Sequence, residues 1–282
     1  MPLVSLADAI ARHVHDGQSV ALEGFTHLIP FAAGHEIIRQ GRRGLHLIRM
    51  TPDIVHDQMI GMGCAQRLTF SWGGNPGVGS LHRLRDAIER QWPQPLQISE
   101  MTHAEMAVAY QAGASALPCG LMRHYADTDL DRARPEQVRA LACPFSGEAL
   151  KAVPAINPDV TILHAQQVDR EGNVLLRGII GAAREAALAA RQLLITVEAR
   201  VERFAAPANA IVLPHWMIGA VSLVPGGAHP SYAAGCYERD NRFYVDWDEI
   251  ARDRERFRQW MHDYVLTSRD HAELLHRLQV AQ

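Results

Sequence analysis

Ser71-Trp72-Gly73-Gly74-Asn75-Pro76-Gly77-Val78-Gly79-Ser80 is the stretch on which the reading of the fold turns. The run Arg67-Leu68-Thr69-Phe70 in front of it reads as a strand. Residues 80–89 behind it read as an amphipathic helix. A glycine-rich loop therefore joins a strand end to a helix start. Gly73, Gly74, Gly77 and Gly79 let the backbone take positive φ and let a ligand approach with no Cβ in the way. The first-turn N–H groups of a helix lack intrahelical acceptors, so the junction is expected to attract anions. The loop has neither the G-x-G-x-x-G order of a dinucleotide site nor the Gly-Lys-Ser/Thr ending of a P-loop. A tight turn with no ligand is the competing reading.

Working outward, strands and helices alternate. Ser5 is placed to cap a helix through Ala7, Ile10, Ala11 and Val14 that Gly17 ends. Residues 19–22 read as a strand, 31–40 as a helix, 45–50 as a strand, 96–98 as a strand and 104–112 as a helix. Further on, 160–163 and 173–176 read as strands around a turn at Asp169-Arg170-Glu171-Gly172. An alanine-rich helix at 182–190, a buried strand at 193–197 and a strand at 220–224 follow, and the tail from about 247 is charged and helical. The polar segment 127–136 reads as a surface excursion rather than a boundary, so residues 1–282 are taken as one domain. The expected fold is α/β: an open, mostly parallel sheet with helices on both faces, in three α/β/α layers.

Composition sets the outer bounds. The chain has 282 residues, 48% hydrophobic and 21% charged, enough to bury a sizeable core. A formal net charge of −3 gives no reason to expect nucleic acid or an anionic membrane as partner. The sequence holds no apolar stretch of membrane-spanning length, and its start has no signal-peptide core, which reads as cytoplasmic. Cys64, Cys119, Cys143 and Cys236 stand far apart, so neither a zinc site nor a redox dithiol is indicated. His35-Glu36 opens like a zincin helix but lacks the second histidine, and no G-x-S-x-G elbow is present. No metal is expected.

Unusual residues collect after the strands, where open α/β sheets bind ligands. Glu23-Gly24-Phe25-Thr26-His27 follows the first strand, and Glu100-Met101-Thr102-His103-Ala104-Glu105 follows the strand at Leu96. His164-Ala165-Gln166-Gln167 follows the strand at Val160, and Pro225-Gly226-Gly227-Ala228-His229-Pro230 follows the strand at Ala220. Four histidines just past strand ends, with the glycine loop, suggest one cleft for a polar, anionic small molecule. Each histidine alone also reads as a capping or core-edge residue. Glu100, His103 and Glu105 lie close enough to bias each other's protonation, or Glu105 simply favours the positive end of a helix dipole.

The ordered set Leu22-Glu-Gly-Phe-Thr-His27, Ser71 to Ser80, His164-Ala-Gln-Gln-Val-Asp-Arg-Glu-Gly-Asn-Val174 and Val224-Pro-Gly-Gly-Ala-His-Pro-Ser231 resembles the A-type chain of family I CoA-transferases over nearly the whole length. Within that family it is most similar to the 3-oxoadipate and glutaconate branch. The resemblance implies a two-subunit enzyme that passes CoA from an acyl-CoA, succinyl-CoA above all, to a dicarboxylic or 3-oxo acid. In this family a glutamate attacks the donor thioester to give an acyl anhydride. CoA then attacks the glutamyl carbonyl, and the resulting enzyme thioester is reversed by the acceptor carboxylate. Such covalent steps pass through oxyanions that need preorganised donors.

The family's nucleophile lies on the B subunit in a Glu-x-Gly or Glu-Asn-Gly setting. This sequence has no Glu-Asn-Gly, and Glu23-Gly24 matches the glycine turn of the A-type chain. The protein is therefore expected to be active only with a B subunit, in a heterodimer or heterotetramer, with no permanently bound cofactor and a CoA thioester as substrate. The resemblance places substrate or CoA at Gly24, Phe25, His27, Gly73, Gly74, Asn75, Gly77, Val78, Gly79, Glu100, His103, Gly226, Gly227 and His229, with Glu105 as an auxiliary catalytic residue. Arg83, Arg85, Arg123 and Arg177 are conceivable partners for a second carboxylate. Two alternatives stay open: a related hydrolase that opens a ring in a CoA-linked intermediate, in which Glu100 or Glu105 would act, and a non-catalytic acyl-CoA or carboxylate binding protein.

Overall fold

The computed structural model describes residues 3–123, 129, 134 and 137–280. The first half runs α1 (Leu6–His13), β1 (Ser19–Leu22), α2 (Phe31–Arg39), β2 (Leu45–Ile48), α3 (Ile54–Gly61), β3 (Ala65–Phe70), α4 (His82–Glu89), β4 (Gln97–Glu100) and α5 (His103–Ala114). Three strands follow: β5 (Cys119–Met122), β6 (Arg139–Ala142) and β7 (Ala149–Pro154). The second half runs β8 (Val160–Val168), β9 (Val174–Leu176), α6 (Ala183–Ala189), β10 (Gln192–Arg200), β11 (Ile211–Leu213) and β12 (Ala220–Leu223). It closes with α7 (Asn241–Arg252), α8 (Arg254–Trp260) and α9 (His271–Arg277).

Strands in the order β4-β3-β2-β1-β8-β10-β12 are parallel. β9 pairs antiparallel with the end of β8, and β11 with β9. β5, β6 and β7 form a separate antiparallel sheet. The chain lays down β1 to β4 in one direction and then returns through β8, β10 and β12 in the other. The order reverses between β1 and β8. In an open α/β sheet that switch point, beyond the carboxyl ends of the strands, is where a ligand fits.

Apolar residues cover both faces, as a parallel sheet requires. Val20, Leu22, Leu45, Leu47 and Leu68 share one cluster with residues of α1 to α4 and of the C-terminal helices. Ala21, Ile48, Met106, Tyr110 and Ala186 form a second cluster under α5 and α6. A third lies between β8, β10 and α6. These are the three expected layers. No helix among the described residues is long and apolar enough to cross a membrane.

Several boundaries differ from the sequence reading. β8 does not stop at residue 163 but runs to Val168, so His164 is a buried strand residue and not a strand-end one. Glu100 is likewise the last residue of β4 rather than the first beyond it. α4 starts at His82, not at residue 80. α3 carries no visible period because it is buried on every side, His56, Asp57 and Gln58 included. The C-terminal helices begin at Asn241, and Tyr244, Trp247, Phe257, Trp260 and Leu274 lie in the main core. Of the polar segment 127–136, all but Asp129 and Arg134 lies outside the described residues.

Candidate functional site

Glu23, one residue past β1 at the switch point, is 1% exposed. Its Oε1 accepts from the Tyr110 hydroxyl at 2.8 Å and from the Met50 N–H at 3.3 Å, and its Oε2 faces Arg49 Nη1 at 3.4 Å. Burial pushes its pKa up, against the opposing pull of Arg49 and Tyr110. Arg49 is itself anchored on the Leu22 and Thr51 carbonyls. Neither Arg49 nor Tyr110 stood out in the sequence. An arginine directly after an apolar strand was the available signal.

Gly24 turns the chain at φ 153°, and a Cβ there would lie 2.6 Å from the His27 carbonyl oxygen. Only glycine fits this corner. Phe25 then reaches the chain after β9, close to Gly181. His27 is a pin rather than a free group. It is buried, its Nδ1 donates to the Ile179 carbonyl at 2.9 Å, and its Nε2 accepts from the Ala234 N–H at 2.9 Å. Both ring nitrogens are spent, and burial lowers its basicity.

A cavity of about 550 Å³ opens beside this turn, lined by Met50, His103, Ala104, Gln111, Gly181 and Glu185 among others. Met50 ties its strands together: its carbonyl accepts from the Ser71 and Trp72 N–H groups at 3.0 and 3.3 Å and from the Ser71 hydroxyl at 2.6 Å. His103 Nδ1 lies 3.1 Å from Ser71 Oγ. The Ser71 proton already points at Met50, so Nδ1–H is the donor and Nε2 is left as an acceptor. Glu100 is exposed at the end of β4.

Glu105, in contrast, is fully buried. It closes a capping box with Thr102 at the start of α5. Both its oxygens are held by Arg134, Oε2 by Nη1 at 3.0 Å and Oε1 by Nη2. An auxiliary catalytic part for Glu105 conflicts with this geometry, because the carboxylate has no open approach.

The glycine loop divides in two. Gly73 and Gly74 sit at the strand end beside Trp72, and a Cβ on Gly74 would lie 2.6 Å from the Trp72 ring. Asn75 to Gly79 close a compact turn through N–H···O bonds of 2.9 to 3.1 Å, with the Asn75 amide anchored on the Tyr244 carbonyl at 2.8 Å. Of these four glycines only Gly77 has positive φ, 78°. The expected anion-binding helix start is not open. Asp57 Oδ1 accepts the Arg83 and Leu84 N–H groups at 2.8 Å each, so a buried carboxylate from α3 already occupies it. What the loop presents outward is Trp72, 49% exposed, and Val78, 39% exposed.

The remaining residues gather elsewhere. Glu198 Oε1 faces His164 Nε2 at 2.5 Å and accepts from the Tyr237 hydroxyl at 2.7 Å, while Oε2 accepts from the Gly226 N–H at 2.8 Å. Burial of Glu198 works to raise its pKa, but these donors outweigh it and hold it low. Gly227 has no room for a Cβ, which would meet the His164 ring at 2.8 Å, and His229 pairs with Asp240 at 3.1 Å. Gly226, His229, Glu198 and Tyr237 border a cavity of about 370 Å³ that shares no lining residue with the one at Met50. Among the described residues the single cleft expected from the sequence is thus divided: His103 borders the cavity at Met50, Gly226 and His229 border the other, and Gly24, His27 and His164 line a tight pocket of their own. Arg83, Arg85 and Arg123 are each paired with a carboxylate, Asp86, Glu89 and Glu148, the first of them shared with Arg90 and Arg254. Among the described residues no group of His, Cys, Asp or Glu is arranged to hold a metal ion.

An open, mostly parallel sheet with a glycine-cornered, hydrogen-bonded site at its switch point is the architecture of an α/β protein that binds small molecules beyond its strand ends. Residues 3–223 match the coenzyme A transferase family, and the chain belongs to that family. It is 59% identical over 271 residues to the A-type chain of the 3-oxoadipate CoA-transferase of Pseudomonas knackmussii, covering 96% of each. It is 30% identical to the A-type chain of the glutaconate CoA-transferase of Acidaminococcus fermentans, covering 98% of this chain and 91% of that one. The crystal structure of that glutaconate enzyme superposes with a TM-score of 0.90 over 99% of this chain and 93% of the other, at 29% identity. The chain is accordingly a CoA-transferase by type.

Proposed function

We propose that this chain is the A-type half of a cytoplasmic enzyme that moves CoA from succinyl-CoA to 3-oxoadipate, with the nucleophilic glutamate supplied by a B subunit. The observation that carries the reading is the 59% identity, over 96% of both chains, to the corresponding chain of a 3-oxoadipate CoA-transferase. The chemistry of the strand-end site is compatible with it. A nucleophilic carboxylate has to be unencumbered and in contact with the thioester. Glu23 is buried under three partners and Glu105 is clamped by Arg134, so the two carboxylates set deepest beside the site frame it instead. In this reading Gly24 and Phe25 flank the acyl group, and Trp72, Gly73, Gly74 and Val78 face acyl or CoA groups and the partner subunit. His103, its Nδ1–H given to Ser71, walls the cavity on the α5 side. The ring-opening hydrolase reading needs a working carboxylate on this chain; the ion pair with Arg134 speaks against Glu105 in that part and leaves the exposed Glu100 as its candidate.

Co-expression with the B subunit tests the proposal. The purified complex is given succinyl-CoA and 3-oxoadipate, and the covalent glutamyl thioester is trapped with borohydride. Transfer to 3-oxoadipate with a trapped thioester on the partner is the expected result. Transfer activity by this chain alone, or no trappable thioester in the active complex, overturns it.

A further inference from the structure

A parallel sheet covered on both faces is expected to be apolar on both. On the side of α2 to α4 the strands comply. On the opposite side, towards the edge, they do not. Ser19, His46 and Arg67 stand side by side across β1, β2 and β3, and Thr69 and Ser99 stand side by side across β3 and β4. Between this polar row and the chain leaving β7 lies a cavity of about 230 Å³, which Ile48, Met101 and Ile156 line on its apolar side.

Most of the row is already engaged. The Ser19 hydroxyl donates to Asp159 at 2.7 Å, His46 Nε2 and Thr69 Oγ1 are 2.8 Å apart, and the Ser99 hydroxyl donates to Gln137 at 3.0 Å. Arg134, which also lines the cavity, is taken by Glu105. Arg67 lines the cavity, is exposed, and has no hydrogen-bond or ion-pair partner among the described residues. Burial, with Arg67 beside it, lowers the His46 pKa to about 4, so the imidazole is neutral at pH 7. Among the described residues, then, the cavity offers one unspent positive charge at its polar side and an apolar wall.

We propose that this cavity is a second small-molecule site, separate from the strand-end site, that takes a monocarboxylate with a short aliphatic body. The carboxylate meets the Arg67 guanidinium, and the aliphatic chain lies along Ile48, Met101 and Ile156. A dicarboxylate fits worse, because its second charge would face the apolar wall or approach Asp159. None of these residues takes part in the proposed CoA transfer, so the inference stands independently of that reading.

Hexanoate is the probe, titrated into the full-length chain by calorimetry and followed by the methyl resonances of Ile48, Met101 and Ile156. The expected result is saturable binding with shifts at those methyl groups. Arg67→Gln should bind about tenfold more weakly or worse, the scale of one charge-assisted hydrogen bond. Arg67→Lys should retain most of the affinity, and adipate should bind more weakly than hexanoate. Arg67 has no partner to lose among the described residues, so both variants should unfold as the wild type does. The proposal is overturned if hexanoate gives no saturable binding, if the three methyl groups stay unmoved, if Arg67→Gln binds as wild type, or if adipate binds more tightly.

Discussion

Arg134 grips both carboxylate oxygens of Glu105, and it does so at the first turn of α5, the helix that begins with His103. The pair fixes where that turn sits, and so where His103 meets Ser71. Glu105→Gln keeps the capping box, since glutamine at that position still reaches back to the cap, but it strips the charge from a buried pair. We expect a loss of stability of about 3 kcal/mol and a rate loss below about tenfold. Denaturant unfolding and steady-state kinetics of the assembled enzyme measure both. A rate loss on the order of 10²–10⁴ with unchanged stability would mark Glu105 as an acid–base group.

The loop glycines separate backbone strain from access. Gly77 has φ 78° and a Cβ there would meet only the Arg239 guanidinium, at an ordinary contact distance of 3.9 Å, so Gly77→Ala should cost about 1–2 kcal/mol through the left-handed backbone alone. Gly74→Ala drives a methyl into the Trp72 ring, which is half exposed and free to swing outward. Stability should change little there, while KM for the acyl-CoA donor rises if Trp72 and Gly74 face the substrate. Near-native KM in Gly74→Ala would mean that this arm of the loop is only a turn.

The capping of α4 by Asp57 has a pH signature. Burial lifts the Asp57 pKa from 3.8 to about 6, against the pull of the Leu84 N–H and Arg83, and burial lifts Asp53 to about 6 as well. A raised folded-state pKa means that the native protein binds more protons than the unfolded chain between about pH 4 and 6. The Asp57 contribution therefore disfavours folding progressively as pH rises through that window. Asp57→Asn removes it. The difference in unfolding free energy between variant and wild type should move in favour of the variant from about pH 4.5 to about pH 7, by equilibrium unfolding at the two values. A pH-independent difference contradicts the assignment.

The sequence displayed those features that are local. Strand–helix alternation, the Ser5 cap, the turn at Asp169 to Gly172 and the corner at Gly24 are written in neighbouring residues, and each is present in the structure. What escaped is non-local. β8 looked finished at residue 163 because His164, Gln166 and Gln167 are polar, yet His164 is matched by Thr196 and Glu198 on β10, and Gln166 by the Arg177 backbone. The start of α4 looked open to anions because its cap, Asp57, lies 26 residues away. The C-terminal charges hid an aromatic stripe, Tyr244, Trp247, Phe257 and Trp260, that packs into the core. At the site the sequence pointed to the glycine corner but not to Arg49, Tyr110 and Arg134, whose roles exist only once distant elements meet.

Tyr110 is the residue of that set whose removal reads the site most cleanly. Its hydroxyl donates to Glu23 Oε1 at 2.8 Å in a fully buried setting. Burial raises the Glu23 pKa, and Arg49, Tyr110 and the Met50 N–H act against that rise. Tyr110→Phe takes away a donor that the ionised carboxylate needs more than the neutral acid does. Glu23 should then titrate higher still. The cost of the substitution, about 1–3 kcal/mol for a buried acceptor left short of a partner, should be larger at about pH 8 than at about pH 5, because protonation relieves the deficit. In a Glu23→Gln background the pH dependence should vanish, since the amide does not titrate. Catalysis carries the same information: Glu23 leads directly into Gly24 and Phe25, so a loosened carboxylate should lower kcat/KM for the acyl donor in Tyr110→Phe. Equal unfolding costs at the two pH values in both backgrounds would show that the Tyr110 ring, and not its hydroxyl, is what holds this end of β1.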